Sequence, residues 1–216
     1  MSALCYLCGS PLTAPTNRDH VPMKQLWTPE IRKQYSPQLD TLEVHPQCNS
    51  DFQSDEEYFV ASILPFAPFT LAGKSHFSKM KNETIAGTKV PLKSMVKQQF
   101  HRQIGGIFLP NNIIAYSFDS ARMRRVIWKI VRGLHFRHFH EILSSSCPAT
   151  IEFFTNNNIP DHFKLFQGLD DNPEHGKYPA IFSYKYKTIE DEVNHNYWAM
   201  LFLDCVIVTA VFEERG

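Results

Sequence analysis

Apolar side chains recur at helical spacing between residues 120 and 141. They follow one another at three- and four-residue steps, which predicts one buried face of a long amphipathic helix. The positions that form this face are Met123, Val126, Ile127, Ile130 and Leu134. Basic side chains recur at the same steps, so we expect a positively charged stripe beside the apolar face. The stripe consists of Arg122, Arg125, Lys129 and Arg132.

Two shorter helices are predicted nearer the N-terminus. Thr28 followed by Pro29 predicts a helix start, because threonine is a good N-cap and proline fits the first turn. The run Ser54–Glu57 predicts a capping box that opens a second helix, ending near Leu64. The preceding residues are rich in cysteine, proline, histidine and asparagine, which is typical of a small unit stabilised by a metal ion.

After the long helix the pattern changes to short runs with strand-like composition. These runs are Ile151–Thr155, Phe163–Gln167, Ile181–Tyr186 and Tyr197–Phe212. The last run is long enough for a hairpin that turns near Asp204. The sequence therefore predicts an α+β protein, in which a small N-terminal unit precedes a mixed helical and antiparallel-β body.

Two pairs of metal-ligand residues lie in the N-terminal unit. Cys5 and Cys8 form the first pair, and His45 and Cys48 form the second, with 36 residues between the pairs. Each two-residue gap allows a tight turn to direct both side chains at one ion, and four such donors suit tetrahedral zinc. Buried thiols beside a surface histidine are the alternative. Two pairs in a chain with only five cysteines favour a structural zinc site.

Further candidate residues stand between and just after these pairs. The run Arg18–Pro22 contains Asp19 and His20, and Asn49 directly follows the second pair. On these residues, the segment from about 5 to 59 resembles the HNH endonucleases of the ββα-metal (His-Me finger) superfamily. It is most similar to the subgroup in which two zinc knuckles bracket the catalytic finger. In that family an Asp-His pair ends the first strand, and a histidine or asparagine begins the helix after the last knuckle.

The resemblance implies a domain organisation. Residues 1–59 would form a treble-clef-like ββα-metal finger that carries the structural zinc. Residues 60–216 would form the α+β body, with the basic helix 120–141 and a β-rich C-terminal part.

The chemistry of the matched residues suits hydrolysis of a phosphodiester. His20 can take a proton from water, since histidine has an unperturbed pKa of about 6.5. Asp19 and Asn49 offer oxygen ligands to a divalent cation, Mg²⁺ or Mn²⁺, which would act as a Lewis acid. We therefore expect a metal-dependent endonuclease that cleaves DNA, with RNA as a possible substrate. A single finger cuts one strand, so cleavage of both strands would need a homodimer.

One element of the family pattern is missing. The family has an asparagine on the second strand that orients the base histidine, whereas the segment 38–44 contains none. Gln38 or Asp40 could take its place through a side-chain oxygen. The departure supports an alternative function, a zinc-stabilised nucleic-acid-binding module whose nuclease finger is inactive. A third possibility is a zinc-containing adaptor that binds protein through the acidic C-terminal third.

Charge is distributed unevenly although the whole chain is neutral, with 22 basic and 22 acidic residues. Residues 74–140 hold thirteen basic and two acidic side chains, a net charge of +11. Residues 1–73 carry −4 and residues 141–216 carry −7. A concentration of positive charge favours a polyanionic partner. We therefore expect the basic stripe to follow a nucleic-acid backbone, although a solvated face or pairing with the acidic third would give the same pattern.

No segment has the pattern of a membrane span. The longest apolar run, Trp198–Phe212, has fifteen residues and includes Asp204. A helix needs about 20 apolar residues to cross a bilayer. The odd number of cysteines and the lack of a signal-peptide pattern favour a reducing compartment, so we expect a cytoplasmic protein that does not associate with membranes.

Overall fold

The computed structural model describes residues 3–85, 94, 97–111, 115–144, 147–155, 169, 171–178, 180–189 and 192–213. The predicted strand Phe163–Gln167 lies outside these residues. Within them the chain is α+β, as predicted, with helices in its first two thirds and an antiparallel sheet in its last third. No helix in these ranges is both long enough and apolar enough to cross a membrane.

The N-terminal unit has the order strand, strand, helix, with a short helix inserted between the strands. Its elements are β1 (Asn17–His20), α1 (Pro29–Tyr35), β2 (Thr41–Val44), α2 (Pro46–Ser50) and α3 (Gln53–Ile63). The strands are antiparallel, and Asp19 pairs with Leu42. The predicted start of α1 is confirmed, because the Thr28 hydroxyl accepts a hydrogen bond from the backbone amide of Ile31 at 3.2 Å. The second strand leads directly into α2.

The predicted capping box at the start of α3 is wrong. The helix begins at Gln53 with Phe52 as its N-cap, and no side chain caps it. Ser54 therefore lies inside the helix. The two acidic residues of the first turn, Asp55 and Glu56, are buried and pair with basic side chains of the long helix instead. Contacts between helices thus replace the local cap that the sequence suggested.

A helix, two short β-ribbons and the long helix follow. They are α4 (Leu71–Ile85), β3 (Phe100–His101), β4 (Gln103–Ile104), β5 (Ile107–Phe108), β6 (Ala115–Tyr116) and α5 (Ser120–Phe139). Strand β3 pairs with β6, and β4 pairs with β5. The N-cap of α5 is Asp119, whose carboxylate accepts bonds from two backbone amides of the first turn. The helix ends at His140, which has a φ of 58°, and its predicted apolar face is buried throughout.

The C-terminal part is a five-stranded antiparallel sheet with the order β7-β11-β10-β9-β8. Its strands are β7 (Ala149–Thr155), β8 (His175–Tyr178), β9 (Phe182–Ile189), β10 (Glu192–Phe202) and β11 (Val206–Phe212). The predicted hairpin is confirmed, since β10 and β11 are joined by a turn in which Leu203 and Asp204 have positive φ. Two more predicted strands coincide with β7 and β9 to within three residues.

One continuous apolar core joins the N-terminal unit to the body. The predicted boundary after residue 59 falls inside α3, and this core includes buried residues on both sides of it, such as Phe59 and Val60. Gly133 of α5 allows a close approach, because a Cβ there would lie 2.6 Å from a methyl group of Val21. The long helix therefore packs directly against the segment that follows β1.

A buried ionic cluster lies where these elements meet. Lys129 of α5 is 2% exposed, and its ammonium donates to Asp19 Oδ1 at 2.8 Å and to Glu56 Oε1. The Tyr6 hydroxyl donates to the other oxygen of Asp19, and the Gln25 amide donates to the other oxygen of Glu56 at 2.9 Å. Buried charges are stable in proteins when they are paired and hydrogen-bonded. The cluster thus joins β1, α3 and α5.

We predict that Lys129→Ala lowers the free energy of unfolding by about 3–5 kcal/mol, because it leaves two buried carboxylates without a cation. Burial already raises the pKa of Glu56. A raised folded-state pKa means that protonation favours the folded protein, so acid should relieve part of the penalty in the variant. Urea unfolding at neutral pH should show the full loss, and unfolding in mildly acidic buffer a smaller one. Lys33→Ala, at an exposed position, is the control; a loss in Lys129→Ala no larger than in the control would contradict the prediction.

Candidate functional site

The predicted metal-ligand residues come together in the structure. Cys5, Cys8, His45 and Cys48 each offer a ligand atom, and all four atoms lie within 4.8 Å of one another. In tetrahedral zinc sites with zinc–sulfur bonds of about 2.3 Å, neighbouring ligand atoms lie about 3.8 Å apart. The cluster thus has the donor set and the spacing of a structural metal site such as one for zinc.

The first pair is held by a tight turn. The carbonyl oxygen of Cys5 accepts hydrogen bonds from the amides of Cys8 at 3.3 Å and Gly9 at 2.7 Å. Gly9 has a φ of 80°, in the left-handed region that favours glycine. Glycine therefore allows the chain to turn back immediately after the second ligand.

The second pair is positioned by the start of α2. His45 is the N-cap of this helix, and its Nδ1 lies 3.4 Å from Cys8 Sγ and 3.9 Å from Cys48 Sγ. On the other side of the ring, Nε2 lies 3.1 Å from the carbonyl oxygen of Pro11. A carbonyl can only accept, so Nε2 carries the proton and Nδ1 keeps its lone pair for a metal ion.

The thiols of Cys8 and Cys48 differ in how readily they lose a proton. Burial raises the pKa of Cys8, but hydrogen bonds from the backbone and hydroxyl of Ser10 outweigh this effect and lower it to about 6. Burial and the neighbouring thiols of Cys8 and Cys5 raise the pKa of Cys48 to about 12. A metal such as zinc that bound here would displace the proton of Cys48, because the thiolate is the form that ligates a metal.

A cleft of about 380 Å³ lies beside this cluster and contains the residues predicted for catalysis. Asp19 and His20, at the end of β1, line it together with Asn49 of α2 and Glu56 of α3. The strand pairing and the turn into α2 bring these side chains together from three elements. The structure thus places the predicted base and both predicted cation ligands in one cleft.

His20 is half-buried in this cleft. Burial lowers the pKa of its imidazole, and the positive charge of Lys24 lowers it further, whereas Asp19 acts in the opposite direction. The imidazole is therefore uncharged at neutral pH, which leaves a ring nitrogen free to accept a proton.

Asp19 has more partners than the sequence suggested. It is 4% exposed, and its two oxygens accept hydrogen bonds from Lys129 and Tyr6. A carboxylate has about four lone-pair sites, so an oxygen that accepts one hydrogen bond can still bind a cation. A divalent ion is thus compatible with these residues, although Lys129 reduces the attraction.

The cleft also has basic side chains that the sequence analysis missed. Arg18, Lys24 and Arg32 of the N-terminal unit line it, together with Lys79 of α4. The net charge of −4 over residues 1–73 does not indicate a basic cleft, although three of the four basic side chains in that segment line this one. Their closeness in sequence to Asp19 and His20 was the available signal. The cleft is thus suited to an anionic ligand.

Half of the predicted basic stripe is wrong as a surface for nucleic acid. Lys129 is buried in the ionic cluster, and Arg132 is 4% exposed. The guanidinium group of Arg132 donates to the carbonyl oxygens of Leu143 at 2.9 Å and Leu7 at 2.5 Å. Both side chains bind other parts of the protein, so neither is available to contact a phosphate backbone.

The other half of the stripe is partly exposed but already paired. Arg122 and Arg125 both bind the carboxylate of Asp55 at 2.6 Å. The guanidinium of Arg122 also lies 4.2 Å from the centre of the Tyr58 ring. These two arginines therefore fix α5 to α3, and their availability to a phosphate backbone is reduced.

The structure also corrects the prediction for Asp40. Its carboxylate pairs with Arg137 of α5 at 2.5 Å, and it lines a second cleft of about 400 Å³ together with Gln38. His20 lines the first cleft, whereas Asp40 is not one of the described residues that line it. The ion pair with Arg137 thus directs Asp40 away from the predicted role of orienting the base.

No protein-family model matches the chain, and searches of the curated proteins and of the solved structures find no match either.

We predict that Cys48→Ser abolishes metal binding and destabilises the fold, because one of four ligands is lost and metal binding is coupled to folding. Wild-type protein purified without chelator should hold about one zinc ion per chain, as a structural site of this kind requires. Metal analysis by mass spectrometry and thermal unfolding are the measurements. Cys205→Ser, in the β10–β11 turn outside the cluster, should keep both the zinc and the unfolding temperature; equal zinc content in the two variants would contradict the assignment.

Proposed function

We propose that the protein is a metal-dependent endonuclease of the HNH (ββα-metal) type, a hydrolase that cleaves phosphodiester bonds in DNA. The observation that supports this proposal most strongly is the shared cleft of His20, Asp19 and Asn49. They stand on a strand-strand-helix unit beside a cluster that can hold zinc. The treble-clef-like arrangement of the zinc knuckles around this unit is part of the same proposal.

In the proposed reaction His20 is the general base. Its imidazole is uncharged at neutral pH, so it can accept a proton from the attacking water. Asp19 and Asn49 would hold Mg²⁺ or Mn²⁺, which supplies Lewis-acid stabilisation of the phosphate and of the departing oxygen when it is bound.

The basic lining of the cleft would bind the phosphate. Arg32 supports this role, since its Nε is buried and has no hydrogen-bond partner among the described residues. A buried donor without a partner is costly, so a phosphate oxygen that accepts from it would be bound favourably. RNA presents the same phosphate group. Cleavage of both strands of a duplex would require two copies of the chain.

A second candidate function is a nucleic-acid-binding module without nuclease activity. The observation that favours it is the contact of both Asp19 oxygens with Lys129 and Tyr6, which weakens the predicted cation site. The basic side chains of the cleft would still bind phosphate without a catalytic ion. The two functions differ in whether bound DNA is cut.

We predict that the protein nicks supercoiled plasmid when Mg²⁺ or Mn²⁺ is present. His20→Ala should lower the nicking rate by about 100-fold or more, because general-base catalysis typically contributes about 10²–10⁴. His101→Ala is the control, since this exposed histidine lies on β3, away from the cleft. Agarose gels separate the nicked product from the linear product that paired copies would give.

Two results would decide against this mechanism. Undiminished nicking by His20→Ala would show that another group is the base. Plasmid binding without nicking in either metal would favour the binding module.

We predict that Arg32→Gln weakens binding to duplex DNA and makes it less sensitive to salt. Loss of one phosphate contact should reduce the slope of log affinity against log salt by about 0.9. Lys33→Gln is a matched control, since Lys33 is the next residue on α1, is exposed and does not line the cleft. Fluorescence anisotropy over a series of salt concentrations measures both. Equal slopes for the two variants would show that Arg32 does not contact phosphate.

A further inference from the structure

The second cleft lies between the N-terminal unit and the body. One wall comes from the segment after β1 and from Trp27, and the other comes from α5 and the sheet, where His175 and Tyr184 line it. Its volume of about 400 Å³ is within the range of about 300–1,000 Å³ that is usual for pockets that bind small ligands. Trp27 lines the first cleft as well, so the two clefts share a side chain as a common wall.

The charges of the second cleft differ from those of the first. Among the described residues, it is lined by one guanidinium, that of Arg137, and by the carboxylates of Asp40 and Glu174. Arg137 is already paired with Asp40. Acidic side chains therefore outnumber the guanidinium here, which disfavours phosphate, whereas the first cleft is lined by four basic and two acidic side chains. The second cleft is suited to a neutral group with polar edges.

Aromatic rings supply the surface for such a group. His175 stacks on Tyr184 with ring centres 5.3 Å apart and an angle of 25° between the planes. His138 lies 5.2 Å from His175 and hydrogen-bonds to the Tyr184 hydroxyl at 2.8 Å. Burial lowers the pKa of His138, and the guanidinium of Arg137 acts in the same direction, so this ring is also uncharged at neutral pH. Aromatic side chains of this kind provide surfaces on which nucleobases stack.

Trp27 adds a polar group that has no protein partner. Its side chain is 5% exposed, and its Nε1 is a buried donor without a hydrogen-bond partner among the described residues. Buried indole nitrogens usually have a partner. A ligand that extends from one cleft to the other would pass this side chain and could accept the hydrogen bond.

We propose that the second cleft binds an unpaired nucleobase of the strand whose phosphate lies in the first cleft. The preferred substrate is then single-stranded or locally unpaired nucleic acid. A base in a duplex has its faces stacked and its edge paired, so it cannot enter a cleft between two parts of a protein unless it leaves the helix. The proposal rests on the proposed function only in placing a phosphate in the first cleft.

The experiment compares oligomers that have the same backbone with and without bases. A labelled oligothymidine of about twelve nucleotides, an abasic oligomer of equal length and a duplex are titrated by fluorescence anisotropy. The protein carries His20→Ala and no divalent ion is added, so the result does not depend on cleavage. We expect the oligothymidine to bind about tenfold or more tightly than the abasic oligomer, and more tightly than the duplex.

Variants of His175 test the location. His175→Ala should reduce the ratio of the two affinities towards one, and His175→Phe, which keeps a ring, should preserve it. Unchanged affinity for the abasic oligomer shows that His175→Ala is folded and that the phosphate site is intact. Phe108→Ala, at an exposed aromatic position on β5, is the control.

Three results would overturn the proposal. They are equal affinity for the oligothymidine and the abasic oligomer, stronger binding to the duplex, and an unchanged ratio in His175→Ala. A protein that cuts no DNA can still show the base preference, and one that cuts DNA can lack it. Failure of this inference is therefore distinguishable from failure of the proposed nuclease activity.

Discussion

The buried ammonium of Lys129 is the contact on which the arrangement of the candidate site depends. It binds Asp19 at the end of β1 and Glu56 in the first turn of α3, two residues that the sequence separates widely. An ion pair of this kind contributes little net stability, but removal of one partner is costly because the others remain charged and buried. The long helix must therefore pack where Lys129 reaches both carboxylates. Gly133, one turn further along α5, permits the close approach to Val21 that this position requires.

The same interaction explains why part of the predicted basic stripe is buried and cannot bind nucleic acid. Helical spacing shows that four basic side chains share a face of the helix. The spacing does not show whether that face contacts water, nucleic acid or acidic side chains. Acidic partners determine what this face contacts, and these partners are distant in sequence. Asp55 is 67 residues from Arg122, and Asp19 is 110 residues from Lys129. Several features that depend on neighbouring residues were predictable, such as the Thr28 cap, the apolar face of α5 and the turn at Asp204, whereas the capping box at Ser54 gave way to contacts between helices. Features that depend on long-range pairing were not predictable.

Charge summed over a segment was a poor guide for the same reason. The N-terminal 73 residues are acidic in total, yet Arg18, Lys24 and Arg32 line a single cleft. Several of the acidic residues that give the negative sum are engaged elsewhere, as Asp55 is with α5 and Asp40 is with Arg137. The electrostatic field that a ligand meets comes from the side chains that remain available in the cleft, and only the folded structure shows which those are. The spacing of the metal ligands was informative because it concerns local geometry at each pair.

The metal-ligand cluster and the long helix are each linked to residues that line the cleft. A metal bound by Cys5, Cys8, His45 and Cys48 would tie the turn that holds Cys5 and Cys8 to α2, in which Asn49 directly follows Cys48. On the other side, Arg132 binds the carbonyl oxygen of Leu7, which lies between the first two cysteines. The first knuckle is thus held both by the metal ligands and by α5, the helix whose Lys129 holds Asp19. Asn49 lies on α2, which the metal would fix to this knuckle, and Asp19 lies on β1, which Lys129 fixes to α5. Both residues line the same cleft. Loss of the metal should therefore disturb the cleft as well as the knuckles, because the two parts share one set of long-range contacts.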